Sequence, residues 1–243
     1  MQETAQRAAI VTGASSGIGL AIGRAMLEEG YALTAVARRP EKLEAAVKEL
    51  EPHGEVLPVA ADVSSEDAVR EAVATHRDRF GRLDVLVNNA GVGIGQTVTE
   101  LSTKHVDMQL AVNLRAAMLF YRECAELLRA AGQEERGALV VNTSSIAGKS
   151  GQPWLSVYSA TKHGLIGFTQ AMNKELAAVG VKSCALCPAF VDTAMTDYVK
   201  DAVPAEHMIQ ANDIAAAVRM LLHLSRWCLI PEIIFQRVGE TGA

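Results

Sequence analysis

Short apolar runs alternate along this chain with longer stretches that have the period of an amphipathic helix. The run AAIVTG precedes GIGLAIGRAMLEEG, and ALTAVAR precedes PEKLEAAVKELEPHG. Further runs are EVLPVAADV, LDVLVNNAG, GALVVNTSS, VKSCALC and CLIPEIIFQR, with a long helix predicted around 103–131. This alternation predicts a parallel sheet with helices on both faces. Because no linker or repeat divides the chain, we predict a single doubly wound α/β domain of about seven strands over residues 1–243.

Charge and apolar content limit the partners of the chain. Hydrophobic residues make up 49% of it, the net charge is -5, and Lys and Arg do not cluster. These properties argue against a nucleic-acid-binding surface. The start MQETAQRAAIVTGASSG does not resemble a signal peptide, and no apolar run approaches the roughly 18 residues of a membrane span. We therefore expect a soluble cytoplasmic protein that binds a small molecule and neither nucleic acid nor membrane.

The cysteines do not predict a disulfide framework or a metal site. Cys124, Cys184, Cys187 and Cys228 are few and scattered for a chain of 243 residues. Cys184 and Cys187 form a C-x-x-C, but they lie in the apolar stretch VKSCALCPA without a second pair or a His cluster. We expect buried structural thiols.

A glycine-rich turn follows the first predicted strand. Residues 12–19 read TGASSGIG, a G-x-x-x-G-x-G spacing. Glycines at such a turn let the chain bend tightly and bring backbone N–H groups and a helix N-terminus against a pyrophosphate. The strand before it and the helix after it favour dinucleotide binding over an ordinary Gly/Ser turn.

The second predicted strand ends in Arg38 and Arg39, where a dinucleotide fold often places the residue that contacts the adenosine ribose. An acidic residue there accepts hydrogen bonds from a free 2′-OH, whereas arginine offers a cationic fork to a 2′-phosphate. Ala37 occupies the position expected for the acid. We predict NADP(H) rather than NAD(H), with Arg38 as the main phosphate contact and Arg39 as a second. The alternative is a pair of solvated arginines at a helix entry.

Two further strand ends carry polar or turn-forming residues. Asp62 ends the third strand, where it can bind an adenine amine or cap the following helix, and we leave both readings open. Residues 88–91, NNAG, end the fourth strand. Gly91 allows the chain to pass close to a cofactor, and Asn88 is interpreted as a brace rather than a ligand.

Three reactive side chains are predicted to converge at the fifth strand. Tyr158 and Lys162 stand four residues apart in SVYSATKHG, so a helix places them on one face. Ser145, in NTSSIAG, ends the fifth strand, whose carboxyl end faces the ligand crevice of a doubly wound sheet. Hydride transfer to a ketone builds negative charge on oxygen, which requires a proton donor, a second hydrogen bond and a nearby positive charge. Tyr158 fits the donor and Ser145 the second hydrogen bond.

Lys162 is expected to lower the pKa of Tyr158. At about 5 Å and an effective dielectric of about 20, the attraction favours the tyrosinate by roughly 3 kcal/mol, or about two pKa units. A positive nicotinamide would add to this effect. Lys162 can also bind the nicotinamide ribose, and Asn113 can hold a water that links the lysine to solvent.

The chain resembles the short-chain dehydrogenase/reductase family over almost its whole length. The motifs TGASSGIG, NNAG, LAVNL, YSATK and PAFVDT, together with Ser145, appear in the order and approximate spacing of that family. The resemblance implies a Rossmann-type fold, a homotetramer or homodimer, and a catalytic tetrad of Asn113, Ser145, Tyr158 and Lys162. The expected cofactor-binding residues are Gly13, Ser15, Ser16, Gly17, Ile18, Gly19, Arg38, Arg39, Asp62, Val63, Asn88, Ala90, Gly91, Tyr158, Lys162, Pro188, Val191 and Thr193.

Two stretches depart from the pattern of the family. Ala189 follows the proline after the sixth strand, where the family often has glycine, and the ending LSRWCLIPEIIFQRVGETGA lacks the glycines common in many members. Alanine still fits near a ligand if its φ angle is negative.

Substrate contacts are expected from loops 92–97, 146–155 and 190–208, with a main substrate loop at about 189–208. Their apolar side chains predict an apolar pocket or ordinary loop packing: Ile146, Trp154, Leu155, Phe190, Met195, Tyr198 and Met208. Lys149 and Lys200 are candidates for contact with an anionic acyl-carrier protein.

The sequence therefore predicts an NADP(H)-dependent oxidoreductase that acts on a ketone, an aldehyde or a secondary alcohol. The alternative within enzymes is a 3-oxoacyl-[acyl-carrier-protein] reductase. An alternative of another class is a dinucleotide-sensing protein without turnover, although such a protein has no use for a proton donor.

Overall fold

The structure, a computed structural model, describes residues 6–239. Within that range the strands are β1 Ala8–Thr12, β2 Ala32–Ala37, β3 Val56–Ala60, β4 Val85–Asn88, β5 Ala138–Thr143, β6 Val181–Pro188 and β7 Glu232–Phe235. They form one 7-stranded sheet in the order β3-β2-β1-β4-β5-β6-β7, and every pairing is parallel. The predicted α/β fold is confirmed, while residues 1–5 and 240–243 of the predicted domain lie outside the described residues.

The helices cover both faces of the sheet. They are α1 Gly17–Glu28, α2 Pro40–Leu50, α3 Glu66–Phe80, α4 Thr103–Leu110, α5 Ala116–Gly132, α6 Ser156–Leu176 and α7 Ala211–His223. On one face, α1, α2 and α7 contribute Ile22, Leu43 and Ile214 to a common core. On the other face, α3 and α5 bury Val69 and Phe120. The sheet is therefore doubly wound, and its central strands have no exposed face.

The burial of the strands explains their sequences. All residues of β1, β2, β4, β5 and β6 are buried, whereas the edge strands β3 and β7 contain only partly buried and exposed residues. Strands buried on both faces are expected to be continuous apolar runs, as AAIVT and ALTAVA are. The strand order reverses between β1 and β4, so the crevice that binds ligands in such sheets opens at their carboxyl ends.

The helix predicted around 103–131 is interrupted. A π-helical turn, Ala111–Arg115, separates α4 from α5. Sequence periodicity cannot register this turn, because the extra residue changes the phase of the helix without adding a proline or glycine.

Between residues 6 and 239, no helix combines the length and the apolar character needed to cross a membrane.

His76 is a buried histidine on α3. Its Nδ1 lies 2.7 Å from the Thr34 hydroxyl, and its Nε2 lies 2.9 Å from the Arg82 carbonyl oxygen. Because a carbonyl only accepts, Nε2 carries the proton and Nδ1 accepts from Thr34. Burial lowers the pKa of His76 to about 4, against the opposing effect of the Arg82 hydrogen bond.

His76 should make the stability of the fold depend on pH below neutrality. The unfolded histidine titrates near 6.5 and the folded one near 4, so the unfolded state binds more protons within this window. Stability should therefore fall as the pH drops from 6.5 towards 4, with about 3 kcal/mol from this group. Urea unfolding of wild type and His76→Gln at pH 7 and pH 4.5 measures the difference. Equal losses of stability in the two proteins would contradict this assignment.

Candidate active site

The glycine-rich turn packs so tightly that a side chain at any of three of its glycines would be strained or would clash. Gly13 has φ +67 and Gly17 has φ +53, a region that side chains rarely adopt. A Cβ on Gly19 would lie 2.2 Å from the Gly13 carbonyl oxygen. This close packing puts the N-terminus of α1 directly beyond β1. Ser16 is the N-cap of α1 but makes no side-chain cap bond, so the first backbone N–H groups of the helix are available to an anion.

Thr12 and Asn89 hold this turn in place, a role that the sequence analysis did not assign. Asn89 Nδ2 donates to the Thr12 carbonyl oxygen at 3.1 Å. The Thr12 hydroxyl oxygen accepts from the backbone N–H groups of Asn89 at 2.9 Å and Ala90 at 3.0 Å. The second asparagine of NNAG therefore ties the end of β4 to the turn after β1.

Asn88 braces the sheet, as expected. Its Nδ2 donates to Asn142 Oδ1 at 2.9 Å, and Asn142 Nδ2 donates to the Thr169 hydroxyl at 2.9 Å. This chain of hydrogen bonds joins β4, β5 and α6. The side chain therefore supports the floor of the crevice.

The structure leaves Arg38 and Arg39 exposed at the carboxyl end of β2, and it assigns neither guanidinium a hydrogen bond or an ion pair within residues 6–239. Asp62 lies near Arg38 but turns its Oδ1 to the Ser64 backbone N–H at 3.0 Å and to the Ser64 hydroxyl at 2.8 Å. These two bonds, with a smaller contribution from Arg38, lower the pKa of Asp62. The local turn is thus formed, while Asp62 stays exposed, and Val63 beside it is buried.

Ser145, Tyr158 and Lys162 meet at the carboxyl end of β5. Lys162 is 4% exposed, and its ammonium donates to the Thr143 carbonyl oxygen at 2.7 Å. The ammonium nitrogen lies 5.5 Å from the centroid of the Tyr158 ring. Burial lowers the pKa of Lys162 to about 8. The structure thus brings these three side chains together, as the sequence predicts.

The pKa of Tyr158 is raised above its ordinary value. The expectation that Lys162 lowers this pKa is therefore wrong for the protein chain without a cofactor. Burial is the largest cause; hydrogen bonding to Ser145 lowers the pKa, and Tyr198 raises it slightly. The ammonium of Lys162 lies over the ring and bonds to Thr143, and desolvation outweighs attraction at the hydroxyl. Tyr158 therefore holds its proton at neutral pH.

The close approach of the Ser145 loop to α6 depends on Gly148. The Ser144 hydroxyl donates to the Lys162 carbonyl oxygen at 3.0 Å. A Cβ on Gly148 would lie 2.7 Å from the Ser144 hydroxyl oxygen and 2.9 Å from the Lys162 carbonyl oxygen. Ser145 itself donates to the Pro188 carbonyl oxygen at 3.4 Å and accepts from the Ala147 N–H at 3.1 Å.

Asn113 lies on the π-helical turn and uses its carboxamide on the backbone of Val92. Its Oδ1 accepts from the Val92 N–H at 2.8 Å, and its Nδ2 donates to the Val92 carbonyl oxygen at 2.9 Å. A further bond of 3.3 Å reaches the Thr161 hydroxyl. The side chain therefore positions the loop after β4, and the water expected at Asn113 stays a prediction. Gly91 lies beside it, since a Cβ there would be 3.5 Å from Asn113 Oδ1 and 3.7 Å from Lys162 Nζ.

A ladder of three side chains on one helical face fixes this loop. Besides Asn113, Gln109 accepts from the Ile94 N–H at 3.2 Å, and His105 Nδ1 lies 3.0 Å from Gln96 Oε1. The three ladder residues are four positions apart and bind every second residue of the loop. Gln109 is 1% exposed, so its polar atoms need such a partner. The four-residue spacing of His105, Gln109 and Asn113 is visible in the sequence, but their partners in the loop are not.

The segment after β6 closes the crevice from the other side. A Cβ on Gly17 would lie 2.9 Å from Thr193 Cγ2, so Thr193 stands against the glycine-rich turn. Val191 is buried and forms a parallel bridge with Ile209. Among residues 6–239, Trp154 is the only residue other than glycine with a positive φ. The φ of Ala189 is therefore negative, as an alanine close to a ligand requires.

Lys149 and Lys200, the candidates for contact with an anionic carrier, are each paired with carboxylates of this chain. Lys149 Nζ lies 2.9 Å from Glu232 Oε1. Lys200 Nζ lies 2.8 Å from Asp197 Oδ1 and 3.0 Å from Asp192 Oδ1. Met208, expected in the pocket, is 5% exposed and packs inside the fold.

A crevice with a helix N-terminus, exposed arginines and a proton-bearing tyrosine suits a nicotinamide-dependent oxidoreductase. A family model described as short chain dehydrogenase matches residues 7–204. A protein of Streptomyces virginiae, named as a ketoacyl reductase of the monensin polyketide synthase, is 35% identical over 240 residues, which cover 96% of this chain and 89% of that protein. A 3beta-hydroxysteroid dehydrogenase of Mediterraneibacter gnavus is 38% identical over 192 residues, 77% of this chain and 67% of that one.

Three solved structures agree with this result. An alcohol dehydrogenase from Thermococcus sibiricus complexed with 5-hydroxy-NADP has a TM-score of 0.87 at 30% identity, covering 98% of this chain and 99% of that one. A single-residue variant of the actinorhodin polyketide ketoreductase with NADPH has a TM-score of 0.87 at 30% identity, and the match covers 94% of this chain and 95% of that one. A 3-ketoacyl-(acyl-carrier-protein) reductase from Brucella melitensis complexed with NADH has a TM-score of 0.85 at 28% identity, and the match covers 94% of this chain and 96% of that one.

The chain therefore belongs to the short-chain dehydrogenase/reductase family. It is an NAD(P)-dependent oxidoreductase that acts on CH–OH and C=O groups.

Lys162 should cost the fold stability at neutral pH. The pKa of Lys162 is about 8 in the folded chain and 10.5 in the unfolded chain. The cost of burying the ammonium therefore applies in full below pH 8 and disappears as the pH rises to 10.5. Lys162→Met should raise the free energy of unfolding at pH 7 by about 1 to 3 kcal/mol, after loss of the Thr143 bond. Denaturant unfolding at pH 7 and pH 10 measures the gain, which should shrink at the higher pH. The control is Lys42→Met, at an exposed position on α2; a Lys162→Met variant no more stable than this control at pH 7 would contradict the prediction.

Proposed function

We propose that this enzyme reduces a ketone or aldehyde to an alcohol with NADPH, and that Tyr158 is the proton donor. The proposal depends mainly on one observation: the partly exposed Tyr158 and Ser145 lie together with the buried Lys162 at the strand end that faces the glycine-rich turn. The raised pKa of Tyr158 supports reduction, because the hydroxyl holds the proton that a developing alkoxide must receive.

The other site residues divide the remaining work. Ser145 gives a second hydrogen bond to the substrate oxygen, and its loop is fixed by Gly148 and Ser144. Lys162 keeps positive charge beside the tyrosine and has donors left for a ribose hydroxyl. Asn113 acts by positioning Val92.

The residues around the crevice fit a dinucleotide. The N-terminus of α1, reached through Gly13 and Gly17, suits the pyrophosphate, and Thr193 stands beside it. Ser15, Ile18, Val63, Ala90, Pro188 and Val191 complete the proposed binding set. When bound, the reduced nicotinamide supplies the hydride, and the protein supplies the proton.

The preference for NADP(H) is proposed on the two arginines after β2. Neither arginine forms an ion pair within residues 6–239, although the Asp62 carboxylate lies near enough to Arg38 to feel its charge, and Ala37 offers no side-chain acceptor to a ribose hydroxyl. Two of the similar structures carry NADP-type cofactors in their names, and one carries NADH.

A 3-oxoacyl-[acyl-carrier-protein] reductase remains the second candidate, favoured by the names of the Streptomyces virginiae and Brucella melitensis proteins. The paired state of Lys149 and Lys200 weighs against it.

A homodimer or homotetramer also stays a proposal. Leu110 and Met118 are 41% and 36% exposed on α4 and α5, which is consistent with a further protein surface there.

Tyr158→Phe should remove the proton donor and leave the dinucleotide site unchanged. We expect kcat to fall about 100-fold or more, while the Kd for NADPH changes less than about twofold. The assay follows nicotinamide absorbance across a panel of diketones, aldehydes and 3-oxoacyl thioesters. Tyr31→Phe is the matched control, because Tyr31 directly precedes β2 and so lies at the amino ends of the strands, away from the site at their carboxyl ends. Near-normal kcat in Tyr158→Phe would show that another group donates the proton.

Arg38→Ala should weaken the binding of NADPH specifically. Loss of a charge-assisted contact to phosphate costs about 1.5 to 3 kcal/mol, so the KM for NADPH should rise about 10- to 100-fold with little change for NADH. Arg129→Ala, at an exposed position near the end of α5, is the control. If wild type used NADH with equal or better efficiency, the assignment of the 2′-phosphate to Arg38 would be wrong.

A further inference from the structure

Two exposed aromatic side chains, Trp154 and Tyr198, lie on separate loops near Tyr158. Trp154 is 72% exposed and Tyr198 is 70% exposed. Trp154 precedes the first turn of α6, which carries Tyr158. A Cβ on Gly93 would lie 3.9 Å from the Tyr158 ring, and a Cβ on Gly95 would lie 3.9 Å from Trp154 Cβ. The short segment 93–95 therefore lies beside both Tyr158 and Trp154. Tyr198 is near enough to affect the titration of Tyr158.

The backbone of Trp154 is held in a conformation that tryptophan rarely adopts. Its φ is +64, and its carbonyl oxygen accepts from the Gln96 N–H at 2.7 Å. The hydrogen bond fixes the backbone, but the mostly exposed indole gains little packing within the chain. Backbone strain of this kind is concentrated at ligand-binding sites, where it presents a side chain to a ligand.

The loop that carries Tyr198 has an excess of negative charge, which disfavours an anionic substrate. Residues 190–208 contain one lysine and four carboxylates, namely Asp192, Asp197, Asp201 and Glu206. The lysine, Lys200, is already paired with two of these carboxylates. On the neighbouring loop, Lys149 is paired with Glu232. A phosphate-bearing arm or an acidic carrier would therefore meet net negative charge.

We propose that the substrate is a free, uncharged carbonyl compound with an apolar ring system, which lies against Trp154 and Tyr198, and that the acidic rim discriminates against thioesters of phosphate-bearing carriers. This proposal rests on the reductase function above and narrows its substrate class. Apolar rings gain both buried area and offset stacking against aromatic side chains. Specificity would then come from attraction to the ring and repulsion of the carrier.

The first test compares 2-decalone, an uncharged bicyclic ketone, with acetoacetyl-CoA, both with NADPH. Wild type should have a kcat/KM for 2-decalone at least about tenfold higher. Trp154→Gly should raise the KM for 2-decalone about tenfold with little change in kcat, and should leave the small substrate butane-2,3-dione unaffected. Glycine is chosen because it accepts φ +64, so the variant should be at least as thermally stable as wild type.

Trp227→Gly is the matched control. Trp227 is 85% exposed but lies in the connection between α7 and β7, at the amino edge of the parallel sheet. It should leave all three substrates unchanged.

The second test changes the charge of the rim. Asp197→Asn combined with Asp201→Asn should raise kcat/KM for acetoacetyl-CoA several-fold at low salt, less at high salt, and leave 2-decalone unchanged. No gain for the thioester would refute the role of the acidic rim.

The outcomes separate the two proposals. Faster turnover of acetoacetyl-CoA than of 2-decalone by wild type would overturn this substrate class and leave the reductase function standing. An unchanged KM for 2-decalone in Trp154→Gly would remove Trp154 from the substrate site. Turnover of no carbonyl in the panel, despite NADPH binding, would overturn both proposals.

Discussion

Because helices cover both faces of the parallel sheet, the polar chemistry of this chain is confined to the ends of its strands. All residues of the five central strands are buried, so a polar side chain within them must find a partner there. Asn142 does so through Asn88 Nδ2 and Thr169, whereas Asn88 Oδ1 has no hydrogen-bond partner within residues 6–239. These bonds align β4, β5 and α6, and therefore help to set the position of Tyr158 and Lys162.

Burying Lys162 is the least favourable feature of the site, and its surroundings explain why it is retained. The ammonium finds the Thr143 carbonyl, and the helix that carries it is drawn against the Ser145 loop through Ser144 and the space left at Gly148. A lysine kept out of water holds a charge that solvent screens poorly. Stability is thus exchanged for a fixed charge beside the tyrosine, which a more solvated lysine would not provide.

Sequence reasoning reached the fold and the reactive side chains because both depend on local pattern. Continuous apolar runs identified the strands, and the four-residue spacing of Tyr158 and Lys162 survives any helix. It could not find the partners of Asn113 or Gln109, because a π-helical turn and a loop distant in the chain decide them. It also misjudged the pKa of Tyr158, since a pairwise attraction was weighed without the burial that opposes it.

The three loops around the site differ in how they are held. Loop 92–97 is fixed by the helical ladder, and loop 146–155 by Gly148 and by the Gln152 N–H, which donates to Ser159 at 3.1 Å. Loop 190–208 is held largely by short-range bonds of its own, such as that from Thr196 to the Val191 carbonyl at 2.6 Å. Substitutions in this third loop can therefore alter the surface that meets the substrate without moving Ser145, Tyr158 or Lys162. Tyr198 and the four carboxylates belong to this third loop, whereas Trp154 lies on loop 146–155 and is held with it, so the acidic charge can vary more freely than the position of Trp154.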